Sequence, residues 1–245
     1  IIEQLRDSRV RSEAIEATLK GDSTREVQRL VNLMAKGEAR RSVSDLVRTT
    51  VDDLYDLYMQ TEPEAWSKIP RPRLLGGDEL TQLIDSLRDA TLPEDKRFKG
   101  ARDKDVLRAE TNDWEAFVGQ GLAAKVLDGA SLYYRKEIPQ EVVDLYLRLI
   151  QHSRAVLLDQ MANQTEATYE LLDRFHSIYG QLKRRTRAMR FEDITRALAG
   201  SNTLGPIDRQ HFRLDTPISH LLLDEFQDTS LAQWHVLRPY AQHLM

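Results

Sequence analysis

At 245 residues, with 41% hydrophobic and 30% charged residues, the chain can form one large or two small cores; its 11 glycines and 8 prolines favour long helices over a β sandwich. The net charge of −4 excludes a whole-chain attraction to nucleic acid and leaves only local basic clusters to consider. With no cysteine, disulfides, thiolate zinc sites and cysteine nucleophiles are excluded, which fits a reducing, cytoplasmic setting.

No apolar run approaches the ~20 residues of a membrane span, and no signal peptide is visible. The chain opens at Ile1-Ile2-Glu3 and stops at Met245 soon after an expected core strand, so we expect a piece of a longer protein. Residues 1–20 have a charged, helical pattern. Gly21 to Thr24 form a break, and Val27, Leu30, Val31 and Met34 then recur at helical spacing as far as Gly37. Ser44-Asp45 opens a helix with Val47, Val51, Leu54 and Tyr58 on one face. Pro63 starts a turn leading to Trp66, and Ile69 to Arg73 with Gly76-Gly77 is a connector. Asp78 is placed to cap a helix striped by Leu80, Leu83, Ile84 and Leu87. Thr91 to Asp105, rich in both charge signs, is expected to be an exposed, solvated loop; its Lys96, Arg97, Lys99, Arg102 and Lys104 are the alternative as phosphate contacts.

Asn112-Asp113 introduces a short helix with Trp114, Phe117 and Val118. From Pro139 a long helical stretch runs to about Arg187, with an interruption or bend expected near Asn163. Its apolar positions are Val142, Leu145, Tyr146 and Leu149, then Tyr169, Leu172, Phe175, Tyr179 and Leu182, a stripe that core packing explains. Lys183, Arg184, Arg185, Arg187 and Arg190 crowd the end of this stretch. They suit both the negative pole of a helix and DNA phosphate, and both readings stay open. Phe191, Ile194 and Leu198 share a further helical face that ends at Gly200.

After a loop from Asn202 to Pro217, Ile218 to Leu223 is expected to form a buried strand, followed by Asp224-Glu225-Phe226-Gln227-Asp228-Thr229-Ser230. Thr229 or Ser230 can cap a helix carrying Leu231, Trp234 and Leu237, which Pro239 should end or kink. Two carboxylates at the end of a buried strand are the Walker B arrangement of nucleotide-hydrolysing folds. Asp224 is the candidate magnesium ligand, and Glu225 the candidate base for the attacking water. Gln227 can relay hydrogen bonds. Asp228 is either a partner of the helix N-terminus or functional. No Gly-x-x-x-x-Gly-Lys-Ser/Thr occurs in the chain, so the phosphate cradle is missing and this piece alone should not hydrolyse ATP. The six histidines show no zinc spacing, and His220 is assigned a structural role.

Leu221 to Ser230, with Gln233 and Leu237, resembles motif II of superfamily 1 UvrD/Rep-type DNA helicases. Phe175-His176-Ser177-Ile178-Tyr179, Lys183 and Arg190-Phe191-Glu192-Asp193-Ile194 resemble the approach to that motif, with Glu192 where aspartate is more usual. The helical lead-in around Trp66 and Tyr133-Tyr134 is most similar to the AddA/RecB helicase-nuclease branch. The resemblance implies a mainly α chain, with residues 1–205 a helical insertion and residues 206–245 part of a RecA-like α/β P-loop motor domain. It also implies ATP and Mg²⁺ as cofactors, single- or double-stranded DNA as partner, 3′-to-5′ movement, a role in double-strand-break repair and a possible second helicase-nuclease subunit. A UvrD/Rep-type helicase without nuclease, and a non-catalytic helical DNA-binding or interaction arm, are the alternatives.

Overall fold

A computed structural model of the chain describes residues 4–20, 43–200 and 219–244. The helix expected over 27–37, the loop over 202–217 and a boundary at 205/206 lie outside the described residues. In chain order come α1 (Gln4–Lys20), α2 (Val43–Gln60), a 3₁₀ turn (Pro63–Ser67), α3 (Gly77–Asp89), α4 (Lys96–Glu110), α5 (Trp114–Gly119) and α6 (Gly121–Leu127). They are followed by β1 (Leu132–Tyr133), β2 (Lys136–Glu137), α7 (Gln140–Arg185), α8 (Phe191–Gly200), a 3₁₀ turn (Phe226–Asp228) and α9 (Leu231–Leu244). The chain divides into two compact units, Glu62–Tyr169 and the discontinuous Ile1–Thr61 with Glu170–Met245.

In the unit Glu62–Tyr169 the expected stripe of α3 is buried at Leu83, Ile84 and Leu87. It joins Phe98, Trp114, Phe117, Leu122, Val126, Val142, Tyr146 and Leu149 in one core, where each large apolar side chain contributes roughly 1.5–3 kcal/mol. Three expectations fail here. Of the loop expected over 91–105 only residues 91–95 are irregular, because α4 begins at Lys96 and buries Phe98, Ala101, Val106 and Ala109 on one face. The interleaved charges that suggested a loop are the solvent side of that helix. Gly76, not Asp78, is the N-cap of α3, and Asp78 sits in its first turn, where its charge suits the helix dipole. α7 runs unbroken through Asn163; the Asn163 side chain donates to Asp159 at 2.9 Å and accepts from Arg71 at 3.0 Å. Arg71 also pairs with Asp159 and Glu166, which fastens the proline-rich connector to α7.

Helix ends follow local chemistry. Asp95 caps α4 by accepting from the Arg97 N–H at 2.8 Å, and hydrogen bonds from Arg97 hold its carboxyl down to about 2. α4 ends on Asn112 (φ 57°), with Asp113 N–H bonded to Arg108 O at 2.8 Å and Asn112 N–H to Ala109 O at 3.2 Å. This is a Schellman motif with asparagine in the left-handed position. The hairpin β1–β2 pairs Leu132 with Glu137 and Tyr133 with Lys136.

In the other unit, α1 packs on α2, with Val10, Ala14 and Ile15 buried on one and Val47, Val51 and Tyr55 on the other. Tyr55, rather than the expected Leu54 and Tyr58, completes the buried face of α2. From α7, Phe175 meets Tyr55 edge-on at 5.0 Å and stacks on Tyr179 at 5.3 Å. The aromatic stripe is core packing, as expected. α8 packs against α9.

Two further expectations are corrected in this unit. The described part of the expected strand, residues 219–223, forms no strand, and Leu222 is 96% exposed. A core strand of this kind is buried by neighbouring strands, and among the described residues none lies beside it. Pro239 does not end α9, which runs on to Leu244. The missing proline N–H forfeits one helical bond, while Tyr240, Ala241 and Leu244 beyond it are half-buried.

Candidate functional site

Five residues, Asp224 to Asp228, turn the chain from the extended segment into α9. Glu225 has left-handed backbone (φ 49°, ψ 42°), which costs a non-glycine residue roughly 1–2 kcal/mol. Its N–H donates to Asp224 Oδ1 at 3.0 Å, and its carbonyl accepts the Asp228 N–H at 2.9 Å. The Gln227 amide donates to Glu225 Oε2. The turn thus ties the Asp224 carboxylate to the Glu225 backbone and places an amide donor on the Glu225 carboxylate.

Ser230 then starts α9. Its Oγ accepts the Gln233 N–H at 3.2 Å, and Gln233 Oε1 accepts the Ser230 N–H at 2.8 Å. This is a reciprocal capping box. It selects Ser230 of the two expected caps. Phe226 lies edge-on to Trp234 at 5.3 Å and braces the turn against the first helical residues.

Asp224, Glu225 and Asp228 stand at a cavity of about 590 Å³ walled by Phe191, Thr195 and Leu198 of α8, Leu222 and Leu223, and Gln233, Val236 and Leu237 of α9. The contribution of α8 was not foreseen; the spacing of Phe191 and Leu198 signalled a shared face without saying what it faced. Asp224, Glu225 and Gln227 are exposed. Among the described residues no cluster of three or more His, Cys, Asp or Glu could hold a metal ion unaided.

The basic run at the end of α7 is mostly engaged. Lys183 donates to Asp193 at 2.7 Å and lies 4.4 Å from the centre of the Tyr179 ring. Burial would raise the Asp193 pKa, but the bonds from Lys183 and the Arg190 N–H prevail and bring it below the usual range. Arg185 pairs with Glu13 at 3.0 Å, and Arg190 with Glu192 at 3.2 Å and Asp7 at 3.6 Å. Asp7 also accepts the Tyr179 hydroxyl. Arg184 and Arg187 are exposed. Arg187 (φ 50°) takes the left-handed position of a Schellman cap, with Ala188 N–H on Lys183 O at 2.8 Å. His220 is exposed, with its Nδ1 3.0 Å from Ser219 Oγ.

No helix among the described residues is long and apolar enough to cross a membrane. A family model, the UvrD/REP helicase N-terminal domain, matches residues 15–244. Comparison with curated proteins and with solved structures found no match.

Proposed function

We propose a function from one premise: this chain belongs to the UvrD/REP helicase N-terminal domain family. The reading is that it is the part of an ATP-dependent DNA helicase that carries the Walker B half of the ATP site. Residues 206–245 are assigned to the RecA-like motor core and residues 1–205 to its helical insertion. The observation that supports it is the turn at 224–228, where paired carboxylates and an amide donor stand at a cavity mouth beside the capped start of α9.

Asp224 offers the kind of hard oxygen ligand that Mg²⁺ prefers. Bound MgATP supplies the scissile phosphoanhydride and the charge neutralisation for its cleavage. Asp224 would hold the metal, directly or through water. Glu225 accepts the proton of the attacking water, and the Gln227 amide keeps that carboxylate from swinging away. The chain contains no phosphate-cradling glycine loop, so the nucleotide's phosphates must be held by residues beyond it. The finer reading is a 3′-to-5′ translocase of the AddA/RecB branch acting in cytoplasmic double-strand-break repair, alongside a second helicase-nuclease subunit.

In the full-length helicase, Glu225→Gln should lower DNA-stimulated ATP turnover by at least about 100-fold while leaving MgATP affinity close to wild type. The isolated 245-residue chain should show no turnover. Wild-type turnover in the Glu225→Gln helicase would sink the assignment of the base.

A further inference from the structure

A second cavity, of about 390 Å³, lies wholly within the unit Glu62–Tyr169, among α4, the start of α6 and the β1–β2 hairpin. Its lining includes Arg97, Lys104, Arg108, Gln120, Tyr133 and Tyr134, and no acidic residue. Two of the cations are braced from behind. Asp95 holds the Arg97 guanidinium at 2.9 Å, leaving it 4.4 Å from the centre of the Tyr134 ring. Asp105, which is buried, and Gln120, which is exposed, hold Arg108 at 2.8 and 2.9 Å. Lys104 is exposed, with no hydrogen-bond or ion-pair partner among the described residues.

The hairpin tip is built against local preference. A two-residue turn with positive φ at both centres favours Asn-Gly, yet here Tyr134 (φ 45°) and Arg135 (φ 66°) occupy it. The turn presents an aromatic ring: Tyr134 is 55% exposed and stands edge-on to Tyr133 at 4.8 Å. A cation-lined cavity with an exposed ring at its lip matches a phosphodiester with a flat base attached.

We infer that this pocket binds one nucleotide of single-stranded DNA, its base stacked on Tyr134 and its adjacent phosphate held by Lys104, Arg97 and Arg108. The inference rests on the DNA-helicase reading but uses none of the ATP-site residues. The full 245-residue chain is titrated by fluorescence anisotropy against a fluorescein-labelled oligo-dT of about 15 nucleotides and an abasic strand of equal length. Lys104→Ala should weaken both strands and flatten the slope of log affinity against log salt by roughly 0.7. Tyr134→Asn, a residue that tolerates the left-handed turn, should weaken oligo-dT about tenfold and leave the abasic strand unchanged. The unchanged strand also shows that the variant is folded.

The pocket assignment is overturned if the wild-type chain binds neither strand, if both variants bind oligo-dT like wild type, or if Tyr134→Asn weakens the two strands equally. Displacement of oligo-dT by polyglutamate of equal charge would likewise overturn it, in favour of an acidic peptide. The helicase reading is judged separately by the Glu225→Gln turnover measurement, so the two can fail independently.

Discussion

Asp105 and Gly121 show how tightly single residues constrain one another in this chain. Asp105 is fully buried. Its Oδ2 accepts the N–H groups of Leu122 and Ala123 at 2.9 and 3.1 Å and the Tyr146 hydroxyl at 3.2 Å. Its Oδ1 accepts Arg108 at 2.8 Å. Burial pushes the carboxyl above its usual range even though these four donors pull it down. The carboxylate stands in for an N-cap on α6, reaching its first amides from another helix. Gly121 lies directly over it with φ +73°, and a Cβ there would sit 2.3 Å from Asp105 Oδ1. With four donors holding it, the carboxylate has nowhere to withdraw. Gly121→Ala should therefore cost more than about 2 kcal/mol, from the left-handed backbone and the clash together. Urea denaturation would measure it; a loss within about 0.5 kcal/mol would mean that Asp105 can move aside. Nothing local in the sequence marks Asp105 as buried. Among so many charges it reads as surface, and only partners 17, 18 and 41 residues away reverse that reading.

At the scale of elements, legibility follows how local the determinant is. The start of α9 is legible because Ser230 and Gln233 complete their capping box within one turn. The stripe of α3 is legible for the same reason. The hairpin is not, because Tyr134-Arg135 carries none of the turn chemistry that announces one. The strand at 218–223 carries the right pattern, but a strand needs partners, and pattern does not supply them. The pairing of α2 with α7 is long-range too, and it yields a pH prediction. His176 Nδ1 lies 2.8 Å from the Tyr55 hydroxyl. Burial lifts Tyr55 to about 12, against the opposing charge of Arg196, so the hydroxyl stays protonated beside the ring. Burial holds His176 below its ordinary value; Lys183 and Arg196 add to this, and Asp173 and Asp193 oppose it. A histidine depressed in the folded state stabilises at pH above the unfolded value of about 6.5, and loses that contribution as pH falls through it toward the folded pKa. The melting temperature should accordingly drop between about pH 7.5 and 5.5, and His176→Asn should flatten that drop. An equally steep drop in the variant would assign the pH dependence to other groups.

The whole chain is one compact unit interrupted by another. Among the described residues, the clustered core of Glu62–Tyr169, from Leu83 to Ile150, is made wholly from that unit. Its connector, helix caps and buried Asp105 network are likewise made within residues 62–169. The other unit is assembled from residues on both sides of this span, and it holds the most exposed apolar groups around the candidate ATP site: Leu222 at 96%, Leu231 at 64% and Phe191 at 60%. The first edge of the interrupting unit lies close to the Pro63 turn and the proline-rich connector, both visible in sequence. Its second edge, between Tyr169 and Glu170, falls inside α7, where helical periodicity continues unbroken and no composition shift could mark it. A unit that carries its own core should fold alone. Residues 62–169 expressed by themselves should unfold in a single cooperative urea transition and retain the pocket of Arg97, Lys104 and Tyr134. Trp66 and Trp114, both buried there, report the transition by fluorescence. A gradual, non-cooperative loss of signal would show that this core depends on the chain around it.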